Sequence, residues 1–161
     1  MDEGFEVLTL IQTGKSVPMP IVFVDAPGGR FWQAWQEYVK DHLLKQGLIS
    51  PPDLDLYKIT DSVDEAAREI IHFYSNYHSS RYSRDDLIIR LRRKPTEAQV
   101  AEISEKFGDI KPRGEFRVSG ALPVERDEPA LADLHRLIFP FNRRDHGRLR
   151  QLIDYLNNLP E

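Results

Sequence analysis

The chain contains no cysteine. That excludes disulfides, thiol nucleophiles and cysteine-ligated zinc, and it fits a reducing compartment. No run approaches the ~18 consecutive apolar residues of a membrane span, and the first turn is acidic rather than basic like a signal peptide. A cytoplasmic protein without a membrane partner is expected. A net charge of -4 argues against attraction of the whole surface to nucleic acid, and no such partner is expected. His42, His72 and His78 lack metal-ligand spacing with one another or with a carboxylate, so neither a metal nor a cofactor is expected.

What is present suits a folded globule. A chain of 161 residues, 40% hydrophobic and 30% charged, is long enough to bury a real core. Asp2 to Lys15 reads as a helix, with acids in the first turn, apolar residues at Val7, Leu8, Leu10 and Ile11, and Gly14 as the stop. Pro20 to Asp25 is a continuous apolar run of the kind buried in a parallel sheet. A turn at Ala26-Pro27-Gly28-Gly29 leads to a helix over about 30–46, rich in aromatics at Phe31, Trp32, Trp35 and Tyr38. Leu56 to Thr60 is a second strand, and Ser62-x-x-Glu65 is a capping box. The helix it opens places Ala66, Ala67, Ile70, Ile71 and Tyr74 on the buried side. This is the strand–helix rhythm of an α/β layer.

The rhythm stops near Ser75, where a polar, aperiodic stretch runs to Arg84. A boundary is placed there, dividing the chain into 1–78 and 79–161. Beyond it come a strand at Leu87 to Leu91, a helix capped by Thr96, and a strand at 115–120. A turn-rich loop over 123–128 precedes two helices over about 129–137 and 144–157. No internal repeat is visible. The expected fold is α/β: a truncated Rossmann-like parallel sheet with helices, followed by an α+β extension.

The opening helix carries a pattern, Glu3-x-x-Glu6-Val7-x-Thr9-x-x-Gln12-x-Gly14. It resembles the segment that follows the phosphate loop in the LOG ("lonely guy") family, long labelled lysine decarboxylases. There a strand leads into Pro-Gly-Gly-x-Gly-Thr-x-x-Glu, and Met1, Asp2 and Glu3 correspond to the last three positions of that motif. The resemblance continues through Pro20 to Asp25, the tryptophan helix, Gly47-Leu48-Ile49-Ser50 and the helix capped at Ser62.

The resemblance implies a Rossmann-like protein that binds a nucleoside 5′-monophosphate. Family enzymes hydrolyse its N-glycosidic bond, releasing free base and ribose 5-phosphate. Cleavage builds positive charge on the ribose, which a carboxylate near the anomeric carbon stabilises. Glu3 matches the family's catalytic glutamate, while Glu6, Thr9 and Gln12 match positions that support the substrate pocket. On helix chemistry alone, Glu3 and Glu6 are also ordinary first-turn acids.

The sequence departs from the family in one important respect. The glycine-rich phosphate loop and the upstream arginine are absent from it. Hydrolysis by this chain alone is therefore not expected, because orienting the substrate supplies much of the rate. The resemblance implies the C-terminal part of a longer phosphoribohydrolase-like protein. A sheet without its first strands exposes an apolar edge, which predicts a homo-oligomer or cover from the extension.

A second reading is a non-catalytic regulatory or oligomerisation module. Asn142-Arg143-Arg144-Asp145-His146 falls at a helix start, where anions bind, so Arg143, Arg144 and His146 are candidate anion ligands. Phe139-Pro140-Phe141 just ahead could stack a base. The other basic cluster, Arg90 to Lys94, reads as an alternating strand. Pro27-Gly28-Gly29-Arg30 resembles a phosphate loop but lacks the Walker spacing and its lysine, so a turn explains it better.

Overall fold

A computed structural model describes residues 1–160. They form two compact units, the first made of Met1–Phe73 and Arg144–Gln151, the second of Tyr74–Arg143 and the residues from Leu152 onward. The mixed α/β class matches the expectation. That the first unit draws on residues 144–151 was not legible in a linear reading.

In the first unit, α1 spans Asp2–Gln12 and ends through Gly14. Gly14 adopts a φ of 69°, and the Lys15 amide donates back to the Leu10 carbonyl at 2.8 Å, the closing bond of a glycine C-cap. Strands β1 (Ile21–Val24) and β2 (Tyr57–Thr60) pair in parallel, with Ile21 opposite Tyr57 and Val24 opposite Thr60. Helix α2 (Phe31–Val39) continues as a π-helical turn over Lys40–Leu44 instead of remaining α-helical. The core gathers Phe23, Trp35, Val39 and Tyr57. Phe23 stacks on Trp32 at 4.3 Å between ring centroids and meets Trp35 edge-on at 5.1 Å. The tryptophans are therefore packing residues.

Helix α3 (Val63–Phe73) differs from its expected packing. Ala66 and Phe73 are buried, whereas Ile71 is 72% exposed and Val63, Ile70 and Tyr74 are exposed as well. Ala66 and Phe73, seven residues apart, define one line along the helix, and Ile71 lies about 140° around from Ala66. The capping box also differs in detail. The Ser62 hydroxyl accepts from the Glu65 amide at 3.3 Å, but the Glu65 carboxylate takes the Thr60 hydroxyl. The Ser62 amide donates to that same Thr60 oxygen at 3.1 Å.

The second unit is built on a four-stranded antiparallel sheet ordered β3-β4-β6-β5, with β3 at Tyr77–Ser83, β4 at Asp86–Leu91, β5 at Arg117–Ser119 and β6 at His135–Pro140. Helix α4 (Glu97–Lys106) follows β4, and α5 (His146–Asn157) follows β6. Strand, strand, helix thus occurs twice in chain order, with β4 and β6 adjacent at the centre of the sheet. This topological repeat has no counterpart in the sequence.

Two expectations are corrected here. The polar stretch read as aperiodic is β3, paired along its length with β4, and the two units divide just ahead of it, between Phe73 and Tyr74. The helix expected over 129–137 is a short 3₁₀ turn at Pro129–Leu131 followed by β6. Leu131, Leu134 and Leu137 imitate helical spacing, but the backbone extends from His135 to pair with β4. The core includes Ile89, Leu91, Ile103, Leu137 and Phe139, and Phe139 and Phe141 are buried rather than presented to a base.

Candidate functional site

Helix α1 holds the residues singled out by sequence, and its geometry divides them. At 100° per residue, Phe5, Leu8, Thr9 and Gln12 share one face, while Glu3 and Glu6 lie away from it. The first four border a cavity of about 110 Å³, closed by Trp35, Asp53 and Tyr57 among others. Glu3 and Glu6 are not in its lining and are exposed. Glu3, Glu6, Thr9 and Gln12 are thus not brought into one pocket.

Gln12 has a defined partner. Its side-chain amide donates to Asp53 Oδ2 at 2.9 Å, and the same oxygen accepts the Ser50 amide at 2.8 Å. Asp53 thereby closes the turn Ser50-Pro51-Pro52-Asp53 and pins the end of α1 to it. Sequence pattern does not single out Asp53 as the partner of Gln12, although Ser-x-x-Asp is a recognisable capping signature. Tyr57, on the same cavity, has its phenol pushed up by burial, against a hydrogen bond from Gln36 that lowers it.

The N-terminus of α1 approaches the latter half of β1, since a Cβ on Gly4 would lie 3.1 Å from the Phe23 ring. Helix α1 therefore runs back along the sheet, with Glu3 at the end where β1 and β2 finish. In α/β sheets that end is where ligands bind.

The loop after β1 lies at the same end and is braced by carboxylates. Asp25 Oδ2 accepts the Trp32 amide at 3.1 Å, and Asp61 Oδ2 accepts the Gly28 amide at 2.9 Å. Gly28 has a φ of 74°, a left-handed turn conformation that favours glycine. An amide spent on a carboxylate is not offered to a phosphate. Pro27-Gly28-Gly29 is thus a strand-to-helix turn. Nearby, the Thr60 hydroxyl and then the Lys58 ammonium hold Glu65 below the usual carboxylate range.

The basic clusters disperse into separate roles. Arg143 has a φ of 58°, donates to the carbonyl of Arg84, itself at 56°, and lies 4.6 Å over the Tyr82 ring. All three belong to the second unit. Arg144 and His146 belong to the first; Arg144 is exposed and His146 is buried against Gly14. In the other cluster Arg90 is buried, and Arg93 donates to the Asn157 carbonyl at 3.3 Å near the end of α5.

Among the described residues no group of three or more His, Asp or Glu side chains could hold a metal ion. No helix among them is long and apolar enough to cross a membrane.

Residues 1–70 match the family model described as "Possible lysine decarboxylase". This segment is similar to the LOG, or lysine decarboxylase-like, family that the opening helix resembles. No curated protein matches the chain.

Proposed function

We propose that this chain is a nucleotide-binding protein of the phosphoribohydrolase-like type, with a nucleoside 5′-monophosphate as its ligand. The family match over residues 1–70 carries the reading. The geometry of α1 supports it, because an exposed Glu3 in the first helical turn, at the carboxyl end of parallel strands, suits a carboxylate that meets ribose.

The chain alone binds without hydrolysing. Among the described residues the turn at Gly28 is already bonded to Asp61, and Glu3 lies on a different face of α1 from the cavity bordered by Thr9 and Gln12. Nothing there orients a phosphate against the carboxylate. The chain also self-associates as a cytoplasmic homo-oligomer, and the exposed apolar residues Val63, Ile70 and Ile71 on α3 support the association.

Calorimetric titration with AMP, paired with chromatography for released adenine, tests both parts. The expected result is saturable binding that Glu3→Gln weakens, with no base released. Absence of binding to AMP and GMP alike overturns the nucleotide reading, and base release overturns the claim of inactivity.

A further inference from the structure

Residues 144–151 make unusually close contact with the rest of the first unit. A Cβ on Gly147 would lie 2.4 Å from the Pro52 carbonyl carbon, 2.5 Å from its oxygen and 2.7 Å from the Asp53 amide nitrogen. No other residue could sit there without moving the backbone. A Cβ on Gly14 would lie 2.6 Å from His146 Nε2. Both neighbours of this segment are therefore parts that fix α1: its C-terminal glycine, and the turn whose Asp53 holds Gln12.

The same segment is fastened at two further points. The Arg150 guanidinium bonds Glu69 Oε1 at 2.7 Å and lies 5.0 Å over the Phe73 ring. Arg150 and Glu69 are both shielded from solvent, so removing one partner leaves the other charge in a poorly solvated site, a larger penalty than breaking a surface bridge. The Gln151 side-chain amide donates to the Asp55 carboxylate.

We propose that Arg144–Gln151 is a conformational strap controlling the order of α1, the helix that bears Glu3. An isolated helix of 11 residues is marginal in water, so α1 depends on what holds its ends. Its N-terminal half is held by Phe5, edge-on to Trp35 at 5.3 Å. Its C-terminal end is held by Asp53 and by the seat around Gly14, and the strap lies against both. Release of the strap frays α1 from Gln12 back toward Glu3, while Phe23 and Trp35 stay packed. Its bearing on nucleotide chemistry rests on the function proposed above; the strap itself does not.

Amide hydrogen exchange on the full chain, without nucleotide, tests this. Gly147→Val drives the strap out sterically, and the double variant Arg150→Met, Gln151→Ala loosens it without adding bulk. In both, amides of Leu10 to Thr13 are expected to exchange about tenfold faster or more, with β4 amides within about twofold of the parent. Unchanged α1 protection in the double variant overturns the proposal, whatever Gly147→Val does. Equal acceleration of α1 and β4 in the double variant overturns it too, because that is global unfolding. Nucleotide plays no part in the readout, so failure of AMP binding leaves this result distinct.

Discussion

Arg90 and Arg136 stand directly opposite each other on β4 and β6, both buried, and share one carboxylate. Glu125 Oε1 accepts from Arg90 Nε at 2.7 Å, and Oε2 accepts from Arg136 Nε at 2.9 Å. Two like charges on adjacent strands would repel without that bridge. Glu128 takes the far side of Arg90 at 2.6 Å and also binds Arg81 at 2.6 Å. The irregular stretch between β5 and β6 is thus fixed onto the sheet by charge.

Removing the shared carboxylate leaves two guanidinium groups in a dry site. Glu125→Gln is expected to destabilise the second unit by about 3–5 kcal/mol, in the range for breaking a buried ion pair from one side. Urea unfolding followed on that unit checks it. A loss below 1 kcal/mol, roughly a surface bridge's worth, means the cluster carries little stability.

The same site has a pH signature. Burial alone raises the Glu125 carboxyl, but hydrogen bonds from Arg136, the Leu122 amide and Arg90 outweigh it and hold the group below its ordinary value. A carboxylate depressed by folding contributes stability that is fully present above the unfolded-state value. It is lost as pH falls through the folded-state value. Stability against urea should therefore decline below about pH 4.5, the ordinary glutamate region, and less steeply in Glu125→Gln.

The aromatic core of the first unit makes a simpler case. Phe23→Ala removes a ring packed between Trp32, Trp35 and Tyr57 and is expected to cost about 3–5 kcal/mol. Tryptophan fluorescence follows the unfolding directly, since both tryptophans lie in this unit.

Ile71 tests the exposed apolar residues of α3. Ile71→Lys is expected to change stability by no more than about 0.5 kcal/mol, as surface substitutions do. It should shift the chain toward monomer in light scattering. A large loss of stability with no change in mass would show that the residue packs within the unit instead.

The readable parts of the fold are those whose pattern is local. Gly14 announces the end of α1, and Thr96 with Gln99 announces the start of α4 through a reciprocal cap at 3.2 and 2.9 Å. β1 is legible because an apolar run of that length has few alternatives. β3 is not, because Tyr77-His78-Ser79-Ser80-Arg81-Tyr82-Ser83 is polar on both faces and is strand only by pairing with β4. β6 is misread because Arg136, in mid-strand and fully buried, is made tolerable by Glu125 eleven residues earlier. Along α1, pattern located the named residues but not their directions. Gln12 turns to Asp53, forty-one positions away, and no spacing rule anticipates that bond.

Because the first unit takes in Arg144–Gln151, it cannot be finished in the order in which the chain is made. During synthesis residues 1–73 emerge before residues 144–151, and the seat around Gly14 and Pro52 stays empty while the whole intervening sheet is translated. Units that are contiguous in sequence close as they leave the ribosome. Here residues 1–73 must wait for residues 144–151, so a nascent chain stalled before residue 144 should hold a looser α1 than the released protein.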